Sequence, residues 1–428
     1  MRIAVIGTGV SGLTAAHLLS ERHDVTVYEA ASEPGGHAHT VAVTVDETDH
    51  DVDTGFVVFN DRNYPNFEKL ISGLGVKAQR SDMSFSVADY NGGFEYSSAS
   101  LNGLFATRSN LINIRFLKML TEIPRFQKAC LRLLADPDSD ISLLDFLTQA
   151  GLSDHFRDRL IVPQAAAVWS AEPGSLDSFP ARFLAEFFQN HGMLSLKGRP
   201  KWSVISGGSA VYVRAVTERL GKRLRLNTPV RELIRIPASE LTPADGSRGP
   251  SGAVKLVTDS GEAALFDHVI LATHSDQALR LLKEPTELER ELLSSIPYQQ
   301  NEVVLHTDSR LLPRRRAAWA SWNYHLVNGP QQRVSVTYHM NRLQSLKADV
   351  EFCVTLNRTE LIAPESVIEK FSYSHPRFTP AGRKAQRRVE EISGVDRIHF
   401  CGAYWGWGFH EDGVVSAQRV AGHFGVTL

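Results

Sequence analysis

A chain of 428 residues has room for two or three domains, each with its own core. Its 43% apolar and 22% charged residues exclude a disordered or fibrous chain, and a net charge of −2 excludes a broad basic face for nucleic acid. Cys130, Cys353 and Cys401 stand far apart in no paired motif, against a disulfide framework or structural zinc and in keeping with a reducing cytoplasm. With a first strand expected from Arg2, no room is expected for a signal or transit peptide. No run of about 18 apolar residues offers to span a bilayer, though contact with a membrane periphery stays open.

The first thirty residues organise the rest. Arg2–Ile6 is a short β-branched run, Gly7-Thr8-Gly9-Val10-Ser11-Gly12 follows, Leu13–Leu19 has helical spacing, and Asp24–Glu29 reads as a second strand ending in an acid. Strand, glycine turn, helix, strand and acid together are the dinucleotide fingerprint in its required context. Gly7 allows the tight turn, Gly9 lets a pyrophosphate approach the backbone, and Gly12 lets the helix pack on the sheet. The helix start offers unpaired N–H groups to the phosphates. Glu29, followed by Ala30, stands where a carboxylate accepts from both ribose hydroxyls, and an acid there disfavours NADP.

Gly35-Gly36-His37-Ala38-His39 comes next, a backbone turn against the cofactor followed by two histidines. No acid or Cys falls at ligand spacing, so the pair reads as polar lining and not as a metal site. Val41–Val45 alternates like a strand, and Asp53-Thr54-Gly55-Phe56-Val57 reads either as backbone close to a ligand or as a simple hairpin turn. Pro65–Leu74 is expected as a helix. Ser84–Val87 and Gly93–Tyr96 are expected as a hairpin around Asn91-Gly92, followed by helices through about residue 195 with Pro124 as a kink. Helix 177–191 carries Phe179, Phe183, Leu184, Phe187 and Phe188, which read either as helix–helix core or as the wall of an apolar tunnel.

Lys201–Ser209 is a strand into Gly207-Gly208, Ala210–Leu220 a helix closed by Gly221, and Leu224–Leu233, which includes Val230, a turn and strand. Residues 237–252 read as a solvent loop, and Phe266–Thr273, ending in Ala272-Thr273, as a buried strand of the nucleotide sheet. Val303–His306, Ala317–Tyr324, Val334–His339 and Phe352–Leu356 read as strands of one antiparallel sheet. Arg314-Arg315-Arg316 and the basic helix within 376–392 each read as a solvated face or as contacts to anionic headgroups. The end runs through Gly402-Ala403 into an aromatic loop, Tyr404-Trp405-Gly406-Trp407-Gly408-Phe409-His410. Glu411-Asp412-Gly413-Val414 then opens the last helix. That acidic pair is either plain capping or a helix start turned to a flavin ring.

These motifs, in this order, resemble the FAD-dependent amine oxidase, protoporphyrinogen oxidase and carotenoid desaturase superfamily. They are closest to a bacterial branch of NAD/FAD-binding oxidoreductases with GGHAHT and GFHEDG motifs. The resemblance implies FAD bound by Gly7, Gly9, Val10, Ser11, Gly12, Glu29, Ala30, Gly35, Gly36, His37, Gly55, Phe56, Val57, Val230, Ala272, Thr273, Gly402, Ala403, Gly413 and Val414. His37 stands where the family usually has Arg, Ala403 where it has Glu, and the lysine near the flavin is not placed. Tyr404, Trp405, Trp407 and His410 are the candidate substrate pocket; for His410 the rival reading is a loop histidine bonded to backbone.

The expected fold is an α/β, Rossmann-like FAD-binding domain in segments 1–80, 201–283 and 395–428. A substrate domain of antiparallel sheet and helices is inserted at 81–200 and 284–394. The expected activity is hydride transfer from a substrate C–H to flavin N5. By analogy with the close branch the substrate is lipophilic, such as a fatty acyl chain. The alternatives are a flavin amine oxidase and a flavin-dependent isomerase or mutase without net redox, with a non-catalytic nucleotide-binding module behind them.

Overall fold

β1 (Arg2–Ile6) and β2 (Asp24–Tyr28) pair in parallel register, Ile3 opposite Val25 and Val5 opposite Val27. The computed structural model describes residues 1–89, 93–136, 139–170, 172–195, 198–240, 252–327 and 333–428. Strands Leu224–Arg225, His268–Leu271 and Ile398–Phe400 complete one parallel sheet; the first lies outside β2, and the other two follow β1 in that order. Three distant stretches of chain therefore meet in one sheet. Helix α1 (Val10–Leu19) between β1 and β2 is buried along all but one of its residues, His17. That is why it is apolar nearly all round and lacks a polar stripe.

The second large sheet has seven strands, ordered Val367–Pro376, Tyr298–His306, Cys353–Leu356, Val336–His339, Trp322–Leu326, Phe85–Asp89 and Glu95–Ser97. It is not purely antiparallel as expected: Trp322–Leu326 runs parallel to Phe85–Asp89, because the two strands come from segments more than 200 residues apart and not from a hairpin. The strand proper starts at Trp322; Arg316–Ala318 before it is a 3-10 turn. Val367–Pro376, ten residues long, is a further strand of this sheet, in which Phe371, Tyr373 and His375 alternate with Ser372 and Ser374. The hairpin of Phe85–Asp89 and Glu95–Ser97 pairs Val87 with Tyr96, while its turn at Asn91-Gly92 lies outside the described residues, as does most of the 237–252 loop.

Helix Ile114–Ala135, started by the Asn113 side chain and containing Pro124, packs with Ala181–Asn190 over this sheet. Phe116, Met119 and Phe126 of the first, and Phe183, Phe187 and Phe188 of the second, share one core with Trp169. The basic stretch after Pro376 folds as helix Pro380–Gln386. There Arg383 lies over the Phe183 ring at 4.4 Å, and Arg388 pairs with Glu291 and Glu391. These cations are held by protein groups.

Candidate functional site

The glycine turn after β1 is set by close backbone packing. Gly7 has φ +101°, and a Cβ there would lie 2.9 Å from the Ala272 carbonyl oxygen; on Gly12 it would fall 2.0 Å from that of Gly7. A Cβ on Gly9, by contrast, meets nothing within 4 Å, while Gly36 faces it across the gap, its own Cβ position 3.4 Å from the Gly9 Cα. Two glycine turns thus front a cradle of bare backbone at a helix start, the setting a pyrophosphate requires.

Glu29 is held in place from inside. Its Oε2 accepts from the Thr8 amide at 2.9 Å and the Thr8 hydroxyl at 2.5 Å, and its Oε1 from the Ala31 amide at 3.0 Å. The Thr8 hydroxyl in turn accepts from the Gly35 amide at 3.0 Å, tying both glycine turns to the acid. Thr8 stands at a variable position of the glycine motif, and only the fold shows it as the strut. Just before Val230, the Thr228 amide donates to the Glu29 carbonyl at 2.8 Å, so that stretch lies beside the acid. Ala30 is exposed there, and Thr273 flanks Gly7.

At the far end, Gly55 lies on the His37 carbonyl oxygen, 2.2 Å from where a Cβ would sit, and the Phe56 amide donates to that oxygen at 2.7 Å. Val57 continues into the strand Val58–Asn60. The last helix, His410–Gly422, then closes on α1. A Cβ on Gly413 would fall 2.5 Å from Val10 Cγ1 and 2.9 Å from Ser11 Oγ, and Val414 is fully buried beside it. Two helix N-termini from opposite ends of the chain converge on one place. The Gly402 amide donates to Ser416 on the same helix at 2.9 Å, and Ala403 starts the turn that follows.

Several expected site residues do other work. His410 is not a loop histidine bonded to backbone. It is the first residue of the last helix, buried, stacked on Phe56 with ring centres 3.3 Å apart, and its Nε2 meets the Tyr212 hydroxyl at 2.9 Å. Burial holds its imidazole neutral, well below its usual pKa. Tyr404 and Trp405 are 4% and 8% exposed and belong to the core under the parallel sheet with Phe400 and Leu271, since Gly402 directs the chain back beneath the strand. Trp407, half-buried, sits 6.3 Å from the Phe183 ring. Of the acidic pair, Glu411 caps a different helix, Pro65–Gly73, accepting from the Phe67 amide at 2.9 Å and the Asn66 side chain at 2.6 Å. Asp412 caps its own helix through the Phe409 amide at 2.9 Å, and burial pushes its carboxyl up to about 7.

Asp53 opens the turn that reads either as backbone close to a ligand or as a simple hairpin. In the structure it is 1% exposed and joins three segments. Its Oδ1 accepts from the Thr40 hydroxyl at 2.6 Å and from the Ser209 amide and hydroxyl at 2.8 Å each; Oδ2 accepts from the Gln344 side chain at 3.1 Å. Burial outweighs these bonds and raises its pKa to about 6. Asp53→Ala strands four donors at once and is expected to cost about 3 kcal/mol or more, read as a fall in denaturant midpoint at constant slope.

Beside this junction lies a group that sequence did not assemble. The His37 ring stands 4.8 Å from Tyr373, 5.5 Å from His375 and 6.0 Å from His274. Burial pushes His37 down to about 3 and His375 to about 4, so both are neutral. His375 bonds to Asn301 at 3.0 Å, whereas His37 Nε2 is buried with no protein partner. His39 Nδ1 meets the Thr54 hydroxyl at 2.8 Å and the Tyr373 hydroxyl at 3.4 Å. His375 also lines a cavity with Gln299, Trp169, Phe179 and Phe378.

A parallel nucleotide sheet, a glycine cradle and a second helix start closed upon it define a dinucleotide-binding flavoprotein. The bare cradle and the orphaned His37 Nε2 fit a bound FAD. A family model for flavin containing amine oxidoreductases matches residues 10–330, and the chain belongs to that family: it is an FAD-dependent oxidoreductase. Among solved structures it is similar to cyclohexylamine oxidase from Brevibacterium oxydans IH-35A, at 14% identity over 99% of this chain and 98% of that one, TM-score 0.69. It is similar to putrescine oxidase bound to putrescine, at 14% identity over 99% of each chain, TM-score 0.67. The CLA-producing fatty acid isomerase from P. acnes matches at 16% identity over 99% and 98%, TM-score 0.68. No curated protein matches the sequence.

Proposed function

We propose that the chain takes a hydride from a C–H bond of a lipophilic substrate, such as a fatty acyl chain. The observation that supports this is the cavity that His375 lines: Trp169, Phe179 and Phe378 form its apolar side, Arg377 and three serines its polar side, and no Asp or Glu is among its lining residues. An alkyl chain gains from such a wall, whereas an ammonium group would find no carboxylate to pair with. FAD, when bound, supplies the hydride acceptor. The chain's part is to hold the reacting carbon, exclude water and present neutral imidazoles at His37 and His375, which neither repel an apolar chain nor carry a charge of their own.

Residues 1–80, 201–283 and 395–428 form the flavin-binding domain in this reading, and 81–200 with 284–394 the substrate domain. A cytoplasmic protein in peripheral contact with a membrane belongs to the same reading, since that is where acyl chains are met. Amine oxidation is the second reading, favoured by the family's name. Anaerobic mixing separates the cases. Bleaching of the oxidised flavin by acyl substrates, and not by a panel of amines, is the expected result. Bleaching by amines alone overturns the proposal, and acyl product formed with no acceptor and no net bleaching indicates an isomerase.

A further inference from the structure

Eleven large apolar side chains stand exposed among the described residues, and five of them fall between positions 101 and 117: Leu101 at 79%, Leu111 at 54%, Ile112 at 83%, Ile114 at 81% and Leu117 at 38%. Single exposed apolar residues are ordinary; a cluster is not. The stretch is held together. Short helix Leu101–Leu104 is tied to turn Arg108–Leu111 through Arg108, which donates to Asn102 Oδ1 at 2.8 Å and to the Phe105 carbonyl at 3.0 Å. The turn leads into helix Ile114–Ala135, which is anchored from below by buried Phe116 and Met119. Ile114 and Leu117, three apart, share the outward face.

Its exposed charge is positive. Residues 101–121 contain Arg108, Arg115 and Lys118 and no Asp or Glu; Glu122, just beyond, is buried and lies 3.9 Å from the Lys118 ammonium. The Arg314-Arg315-Arg316 run adjoins it: a Cβ on Gly103 would lie 2.9 Å from the Ala317 carbonyl oxygen, Arg315 pairs with the buried Glu95 at 3.1 Å, and Arg316 sits over the Trp319 ring. We infer that this face docks on an anionic phospholipid bilayer, with Ile112, Ile114 and Leu101 entering the headgroup boundary and the cations meeting lipid phosphates. A second copy of the chain fits poorly. A two-fold contact sets the patch against itself and brings cations onto cations. The inference deepens the lipophilic-substrate reading and rests on it for its purpose.

The test is flotation of the full-length, FAD-loaded protein with vesicles of neutral phosphatidylcholine, with and without phosphatidylglycerol. Binding is expected to the anionic vesicles and to weaken as salt is raised. Ile112→Glu/Ile114→Glu and, separately, Arg115→Glu/Lys118→Glu are each expected to weaken it by about tenfold or more. Leu361→Glu, at an exposed site elsewhere, is expected to leave it unchanged. Flavin content and thermal midpoint report that each variant is folded. No flotation of the parent protein, or equal flotation of both double variants, overturns the inference. So does a parent dimer that either double variant dissolves, which would assign the face to a second copy, or retention of an acidic protein in place of vesicles. Flavin bleaching by a short, soluble acyl substrate without vesicles tests the substrate reading alone, so the two failures are distinguishable.

Discussion

Gly413→Ala is expected to yield a folded but largely colourless protein. Its added Cβ would fall 2.5 Å from Val10 Cγ1 and 2.9 Å from Ser11 Oγ, so the start of the last helix must move off α1. Overpacking of this kind costs about 1–3 kcal/mol. Here the displacement falls on the two helix starts that face the cofactor, so FAD affinity is expected to drop by about tenfold or more, at about 1.4 kcal/mol for each tenfold. Flavin-to-protein absorbance after purification and titration of the apoprotein with FAD both read this. Val10→Ala in the same chain removes the nearest clashing atom and is expected to restore part of the affinity. If Gly413→Ala keeps full flavin content, the two helix starts do not jointly hold the cofactor.

The protein is expected to be labile to mild acid. His191, His306, His325, His399 and His410 are buried. Burial pushes the first two down to about 4, the next two to about 3, and His410 well below its usual range. His306 and His325 sit at the ends of a hydrogen-bonded line through Thr355 and Thr337 in the seven-stranded sheet, with no space for a second proton's hydration. An unfolded histidine takes up a proton as pH falls through about 6.5, while these folded ones refuse it, so each withdraws about 1.4 kcal/mol of stability per pH unit below that point.

Asp53 and Asp412 oppose this. Their folded pKa values, about 6 and about 7, lie above the unfolded value, so they add stability as pH falls toward about 4. With His37 and His375 depressed in the same way, the imidazoles outnumber the two carboxyls, so stability is expected to fall between about pH 6 and 4. Denaturant midpoints measured from neutral pH downward read the slope. A flat or rising profile below pH 6 would show that these imidazoles reach solvent. His306→Gln is expected to flatten the slope by about 1.4 kcal/mol per unit.

The local motifs were legible because each depends on near neighbours in the chain. The tight turn at Gly7, the helix packed close at Gly12 and the carboxylate at Glu29 lie within thirty residues, and close backbone approach admits only glycine there. The ten-residue strand Val367–Pro376 carried a readable alternation at Phe371, Tyr373 and His375, but turn-like Ser and Pro residues around it obscured the signal. The parallel pairing of Trp322–Leu326 with Phe85–Asp89 carried none, since strand direction across more than 200 residues is set by packing and not by local pattern.

Residue type alone misassigned the aromatic end. Tyr404, Trp405 and His410 suit a pocket wall and a core equally, and a glycine-rich sequence around them reads as a flexible loop. Only the folded chain decides, because Gly402 turns the first two beneath the parallel sheet and Phe56 and Tyr212 close over the third. The glycine spacing, the acid and the order of motifs, properties of the sequence itself, settled that this chain carries a dinucleotide flavin. The meeting of His37, His274, Tyr373 and His375, the span of Asp53 across three segments and the outward face of Ile112 and Ile114 belong to tertiary structure. Each joins or exposes residues whose separation along the chain says nothing of their distance in space.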